Sequence, residues 1–302
     1  MRRLLQLLIR VTLFALIAIQ YSHFTSISLN HNPTIGLSNN DVPNYVEPLY
    51  QSTNQKDRGE NVCILIRTYI GHGLALPRQI IGWATIAETV LNESTSQIKH
   101  MSIYTINTHH VQNRTDDEVI VKTIHQTTTL FDEKNLPMDM HFIPMPVDLV
   151  PDKGKYGYDA TNYLLNLTLW QPRKRECDRY IITNGDNTYH KDLLYALNTQ
   201  IQQKDFDMIA FDFTSHHKGP SNGWIPNTKV AVEFKHGLID LGAVVTKRRV
   251  LSDLCAKDEF TPLLFHTSYI HRWFAADWSF FEDAIRCKAT THVIPQVLLQ
   301  HQ

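Results

Sequence analysis

The sequence predicts an α/β fold with a mostly parallel sheet flanked by helices, in one domain over residues 60–302. Two observations carry this. Strand-like and helix-like stretches alternate from residue 61 to residue 213, the order that a parallel sheet with crossover helices requires. The strand stretches, Val62-Cys63-Ile64-Leu65-Ile66 first among them, are apolar without a break, as in strands buried on both faces.

Taken in order, residues 61–69 form the first strand, ending in the polar Arg67-Thr68-Tyr69. A helix follows over 76–92, with apolar residues at helical spacing and Pro77 near its first turn. Residues 100–110 read as the second strand. Residues 116–131 read as a helix opened by Asp116 and Asp117, which suit the positive end of its dipole. Residues 139–145 are a third strand, 156–170 a helix, 178–186 a fourth strand, 189–203 a helix and 205–213 a further strand. After Thr214 the alternation stops. Residues 215–229 are a loop of turn formers with Trp224 inside it. Residues 230–251 read as two short strands and a helix start, 275–287 as an amphipathic helix with Asp277 near its start, and 291–302 as a last strand.

Composition bounds the function. A net charge of −1 offers no basic excess for nucleic acid, which needs clustered Lys and Arg. At 20% charged residues the chain is not acidic enough for a disordered or ion-storing protein. The N-terminus departs from the average. Residues 1–3 are a basic tail, and 4–21 are apolar apart from Gln6, Arg10, Thr12 and Gln20, about the length that crosses a bilayer. No Lys or Arg follows until Lys56, so the positive-inside rule places residues 1–3 in the cytosol and the remainder in a lumen. We read 4–21 as an uncleaved signal-anchor; a cleaved signal peptide is the rival. Residues 22–59, rich in Ser, Asn, Pro and Gln, read as a stem. Sequons at Asn92, Asn113 and Asn166 agree with a lumen. The four cysteines, Cys63, Cys177, Cys255 and Cys287, allow two disulfides in three pairings; none is spaced as a zinc ligand pair.

The fourth strand stops in Asn184-Gly185-Asp186-Asn187. Ligands of open parallel sheets bind beyond the carboxyl ends of the strands. Asp186 offers a hard oxygen for Mg2+ or Mn2+, and Gly185 permits close backbone approach to a ligand. The same residue types also make ordinary turns.

An anchored luminal α/β domain, an apolar first strand ending in Arg67-Thr68-Tyr69 and an acid after the fourth strand resemble the GT-A glycosyltransferases. These are nucleotide-sugar-dependent enzymes, many of them type II Golgi membrane proteins. Their metal motif is Asp-x-Asp; here Asn184 replaces the first acid and Asp186 matches the second. The resemblance implies a nucleoside-diphosphate sugar donor, a glycan, protein or lipid acceptor, and Mn2+ or Mg2+ as cofactor. It implies donor contacts from Arg67, Thr68, Tyr69 and His72 in the first strand-to-helix loop, from Tyr158, Asp159 and Asn162, and from Asn184 and Gly185. In inverting members a catalytic acid stands at a helix N-terminus near the acceptor, which implies Asp277, with Glu282 and Asp283 behind it. Asp240, Gly242 and Trp224 correspond to the acceptor side. His292 and His301 are the candidates for a late histidine completing the metal shell, beside Asp186. The alternative function is a non-catalytic protein of this fold that binds glycans or partners an active transferase.

Overall fold

Val62, Cys63, Ile64, Leu65 and Ile66 have no exposed surface, because the strand they form lies inside the sheet with neighbours on both edges. The computed structural model describes residues 59–68, 75–108, 114–145, 157–170, 176–216, 225–252 and 276–301. All belong to one compact unit, Leu49–Gln302. The expected anchor at 4–21 and stem up to residue 58 lie outside them. Among the described residues no helix is long and apolar enough to cross a membrane.

Strand β1 (Glu60–Thr68) leads through helix α1 (Ala75–Val90) to β2 (Ile98–Asn107), and β2 through α2 (Arg114–Glu133) to β3 (Met138–Ile143). These three strands are parallel and lie side by side in chain order. Helix α3 (Tyr158–Trp170) then carries the chain back to β4 (Arg179–Asn184), which pairs with the other edge of β1, again in parallel. The short β5 (Thr188–Tyr189), helix α4 (Leu193–Gln203) and β6 (Met208–Ser215) follow. After β6 come the two-residue β7 (Lys229–Val230), a single 3-10 turn (Leu241–Ala243), β8 (Val244–Lys247), α5 (Arg248–Ser252), α6 (Ala276–Arg286) and β9 (Thr291–His301). The strand order is β3-β2-β1-β4-β8-β6-β9-β5, with β7 paired to β6.

The sheet is mixed, which corrects the expectation of a mostly parallel one. β8 runs antiparallel between β4 and β6, and β5 runs antiparallel to β9. The reason is connectivity. A parallel neighbour is normally reached through a crossover, usually a helix, whereas the described residues between β6 and β8 hold only β7 and the 3-10 turn. The first of the two short strands expected in 230–251 shrinks to β7. The strand expected at the C-terminus is there, as the long β9 beside β6.

Two features fix β1 against β4. Cys63 and Cys177 form a disulfide across 114 residues of chain, which settles one pairing; Cys287 is disulfide-bonded as well. At the amino end of β4 the Arg179 side chain is wholly buried. Its Nε donates to Glu60 Oε2 at 2.6 Å, its Nη2 to Asp205 Oδ1 at 2.6 Å and its Nη1 to the Phe206 carbonyl at 3.0 Å. A buried guanidinium holds only if its donors are met in this way.

Candidate functional site

Chain order reverses direction across the sheet at one place. β2 and β3 are laid down on one side of β1, and β4 on the other. The carboxyl ends of β1 and β4 are therefore a topological switch point, the place where ligands of open α/β sheets bind in the crevice between diverging connections. Arg67 and Thr68 end β1 there, Asn184 ends β4, and Arg67 pairs with Asn184 in register.

The turn after β4 is clamped from three directions. Gly185 N donates to the Arg67 carbonyl at 2.8 Å, and Gln79 Nε2, from α1, donates to the Asn184 carbonyl at 2.9 Å. Asn187 Nδ2 reaches back to Thr183 Oγ1 at 3.0 Å. Gly185 and Asn187 are buried, while Asn184 and Asp186 are half-buried at the crevice. Beneath the turn, Tyr189 packs on Trp83 with ring centroids 4.5 Å apart and donates to the Gly242 carbonyl at 2.9 Å. Desolvation holds that phenol well above its ordinary pKa, so it stays a neutral donor.

Beside the turn the chain brings together residues far apart in sequence. Tyr158, at the first turn of α3, donates its hydroxyl to Asp277 Oδ1, at the first turn of α6, at 2.6 Å. The Arg67 guanidinium lies over the Tyr158 ring, 5.3 Å from its centroid. Asp240 caps the 3-10 turn through Oδ1, which accepts from Gly242 N at 2.8 Å, and its Oδ2 lies 3.9 Å from His301 Nε2. His301 Nδ1 is hydrogen-bonded to Ser215 Oγ at 2.9 Å. Burial, and next the charge of Asp240, push the Asp277 carboxyl above the usual range; Tyr158, Arg67 and the Leu241 backbone N–H pull the other way. A carboxyl raised by burial beside a specific charged neighbour is a candidate functional group.

Of the expected site residues, Arg67, Thr68, Tyr158, Asn184, Gly185, Asp186, Asp240, Gly242, Asp277 and His301 gather at this edge of the sheet. Asp159 and Asn162 lie on the first turns of α3, half-buried. Tyr69, His72 and Trp224 lie outside the described residues. The three acids expected on α6 separate: Glu282 is exposed and Asp283 pairs with Arg286. Five and six residues past Asp277, at 3.6 residues per turn, they occupy other faces of the helix. His292, the second residue of β9, stacks on Phe206 at 4.7 Å and pairs in register with Ile209 near the amino end of β6. It is at the end of the sheet away from Asp186. Among the described residues no group of three or more His, Cys, Asp or Glu side chains gathers as a metal site. Asp186 is the acid within the turn.

Sequence reasoning missed Gln79, Asn187, Tyr189 and Ser215, all placed by long-range packing. It also missed Asn107, whose Nδ2 donates to Asp117 Oδ1 at 2.7 Å beyond the end of β2. The Asn187 position beside Asp186 was the one available signal.

No protein-family model matches the chain, and no curated protein matches it. Among solved structures it is similar to S. aureus TarS, with a TM-score of 0.50 and 10% identity over 80% of this chain and 36% of that one. It is equally similar to TarS 1–349 in complex with UDP, at TM-score 0.50 and 10% identity, covering 80% of this chain and 60% of that one. The chain spans less than two thirds of the length of either. At this identity the likeness shows a shared fold.

Proposed function

We propose that the domain is a glycosyltransferase that moves a sugar from a nucleoside-diphosphate sugar to a hydroxyl on a glycan, protein or lipid. The observation that carries this reading is a desolvated, hydrogen-bonded carboxyl, Asp277, facing a switch-point crevice in a fold shared with a protein solved in complex with UDP. The nucleotide belongs at the ends of β1 and β4, on the Asn184–Asn187 turn. Asp277 takes the proton of the acceptor hydroxyl as its oxygen bonds to the anomeric carbon, while the bond to the diphosphate breaks and the diphosphate leaves with the electron pair. This is the inverting course. Asp240 and Gly242 border the acceptor side.

Mn2+ or Mg2+ belongs to this proposal, held by Asp186 and the oxygens of the donor's own diphosphate; when bound it neutralises charge on the leaving group. We further propose that the domain works in the lumen of the secretory pathway, anchored by residues 4–21. The Cys63–Cys177 disulfide supports an oxidising compartment.

The test is thermal unfolding of the full chain with a panel of UDP- and GDP-sugars, with and without Mn2+, followed by a transfer assay with the donor found. One sugar nucleotide at about 100 times its dissociation constant should stabilise the protein by about 2.7 kcal/mol. Asp186→Ala should abolish any metal-dependent part of the shift. If no nucleotide shifts the unfolding of well-folded protein, the reading is overturned in favour of a non-catalytic glycan-binding or partner role.

A further inference from the structure

We propose that Tyr158 and Arg67 are positioning residues that hold the Asp277 carboxylate for the acceptor, and that neither is a ligand of the nucleotide base. The inference deepens the glycosyltransferase reading and rests on it.

Tyr158 is 9% exposed and Arg67 8%. The phenol hydroxyl is committed to Asp277 Oδ1 at 2.6 Å, a length typical of an O–H donor to an ionised oxygen. The ring is covered by the Arg67 guanidinium, so that face is closed to a base. Arg67 is held in turn. A side chain at Gly157, where φ is +76°, would stand 3.4 Å from Arg67 Cδ and 3.2 Å from Thr108 Cγ2, so the start of α3 is pressed against both. Three elements thus converge on one carboxylate: β1 through Arg67, α3 through Tyr158 and α6 through Asp277 itself.

The described groups facing Asp277 are few. Tyr158 comes from α3 and Arg67 from β1; Asp240 and the Leu241 N–H come from the 3-10 turn, and His301 of β9 stands behind Asp240. Burial and Asp240 favour the protonated carboxyl, whereas Tyr158, Arg67 and Leu241 favour the ionised one. A proton acceptor must start ionised, so the residues that oppose burial are those that keep Asp277 competent.

The experiment compares Tyr158→Phe with the wild-type full chain. The ring and its contact with Arg67 remain, and only the donor to Asp277 is lost. Three results are expected. The dissociation constant of the sugar nucleotide changes by less than about threefold, while kcat falls by roughly tenfold or more. The acid limb of the kcat–pH profile moves to higher pH. In ligand-free protein carrying 13C-labelled aspartate, the Asp277 carboxyl titrates at higher pH than in the wild type. An unchanged Asp277 titration overturns the proposal, as does tenfold weaker nucleotide binding with kcat retained. If Tyr158→Phe fails to fold, Arg67→Gln carries the same titration test with the same sign. Because that titration needs no ligand, it decides the positioning chain even where the wild type binds no sugar nucleotide, an outcome that sinks the glycosyltransferase reading by itself.

Discussion

At Asp277 stability and chemistry oppose each other. Its carboxyl is raised by burial and then by Asp240, so the fold favours the neutral form, while proton acceptance needs the ionised one. A group raised in the folded state stabilises the fold when the pH is low enough to protonate it, and this is lost as pH rises through its folded value. Asp277→Asn keeps an acceptor oxygen for Tyr158 and removes the charge. At neutral pH the variant should therefore melt at higher temperature than the wild type, with the difference vanishing in acid. Under the proposed function, its transfer rate should fall roughly 10²- to 10⁴-fold. Two glycines give a second contrast. Gly157→Ala forces a Cβ into a left-handed backbone and against Thr108, and should cost about 1–2 kcal/mol by chemical denaturation. Gly82, inside α1, has open space where a Cβ would sit, so Gly82→Ala should stabilise by about 0.5–1 kcal/mol.

At the scale of elements, β4 divides the labour between its ends. Its amino end is locked by Arg179 and by Cys177 just before it, and its carboxyl end presents the Asn184–Asn187 turn. Replacing Arg179 with Met leaves Glu60 without the guanidinium and the Phe206 carbonyl without its donor, while Asp205 keeps only Lys247. By the usual effect of breaking a buried pair this should cost about 3 kcal/mol or more in urea unfolding. Removing the disulfide as Cys63→Ala with Cys177→Ala frees a 114-residue separation in the unfolded chain and should cost about 2–5 kcal/mol in the same measurement. A loss from either variant that left nucleotide affinity unchanged in the folded fraction would confirm that these ties serve the sheet and not the site. The turn itself is held by Gln79 and Arg67, outside both.

For the molecule as a whole, acid stability has an identifiable contributor away from the crevice. Burial alone would raise the Asp207 carboxyl. Hydrogen bonds from Arg249 and from the Thr290 N–H and hydroxyl outweigh it and bring the pKa to about 2. A lowered carboxyl stabilises above its unfolded value, near 4, and that contribution disappears as pH falls through about 2. Stability of the wild type should drop across that window, and Asp207→Asn should flatten the drop when both are unfolded by urea at a series of pH values. Asp207 ties β6 to Thr290, ahead of β9, and to α5, so its loss in acid loosens the half of the sheet that the first strands do not hold.

Much of the fold was legible because burial leaves a local trace. Val62 to Ile66 are apolar at every position, as a strand covered on both faces must be. The loss of alternation after Thr214 marked where the antiparallel β7 and β8 enter the sheet. The positions of the turn at Asp186 and of the helix-terminal Asp277 were legible for the same reason: a polar residue that closes an apolar stretch is visible in sequence. What remained hidden was decided by contacts between residues far apart in the chain. The Tyr158–Asp277 hydrogen bond spans 119 residues. The antiparallel insertion of β8, the separation of His292 from Asp186, and the grip of Gln79 on Asn184 depend on strand order. No local pattern encodes strand order, because a strand's own apolar run fits any neighbour with the same period. The sequence by itself determined most of the elements and the polar residues at their ends; the tertiary structure alone decided which ends meet.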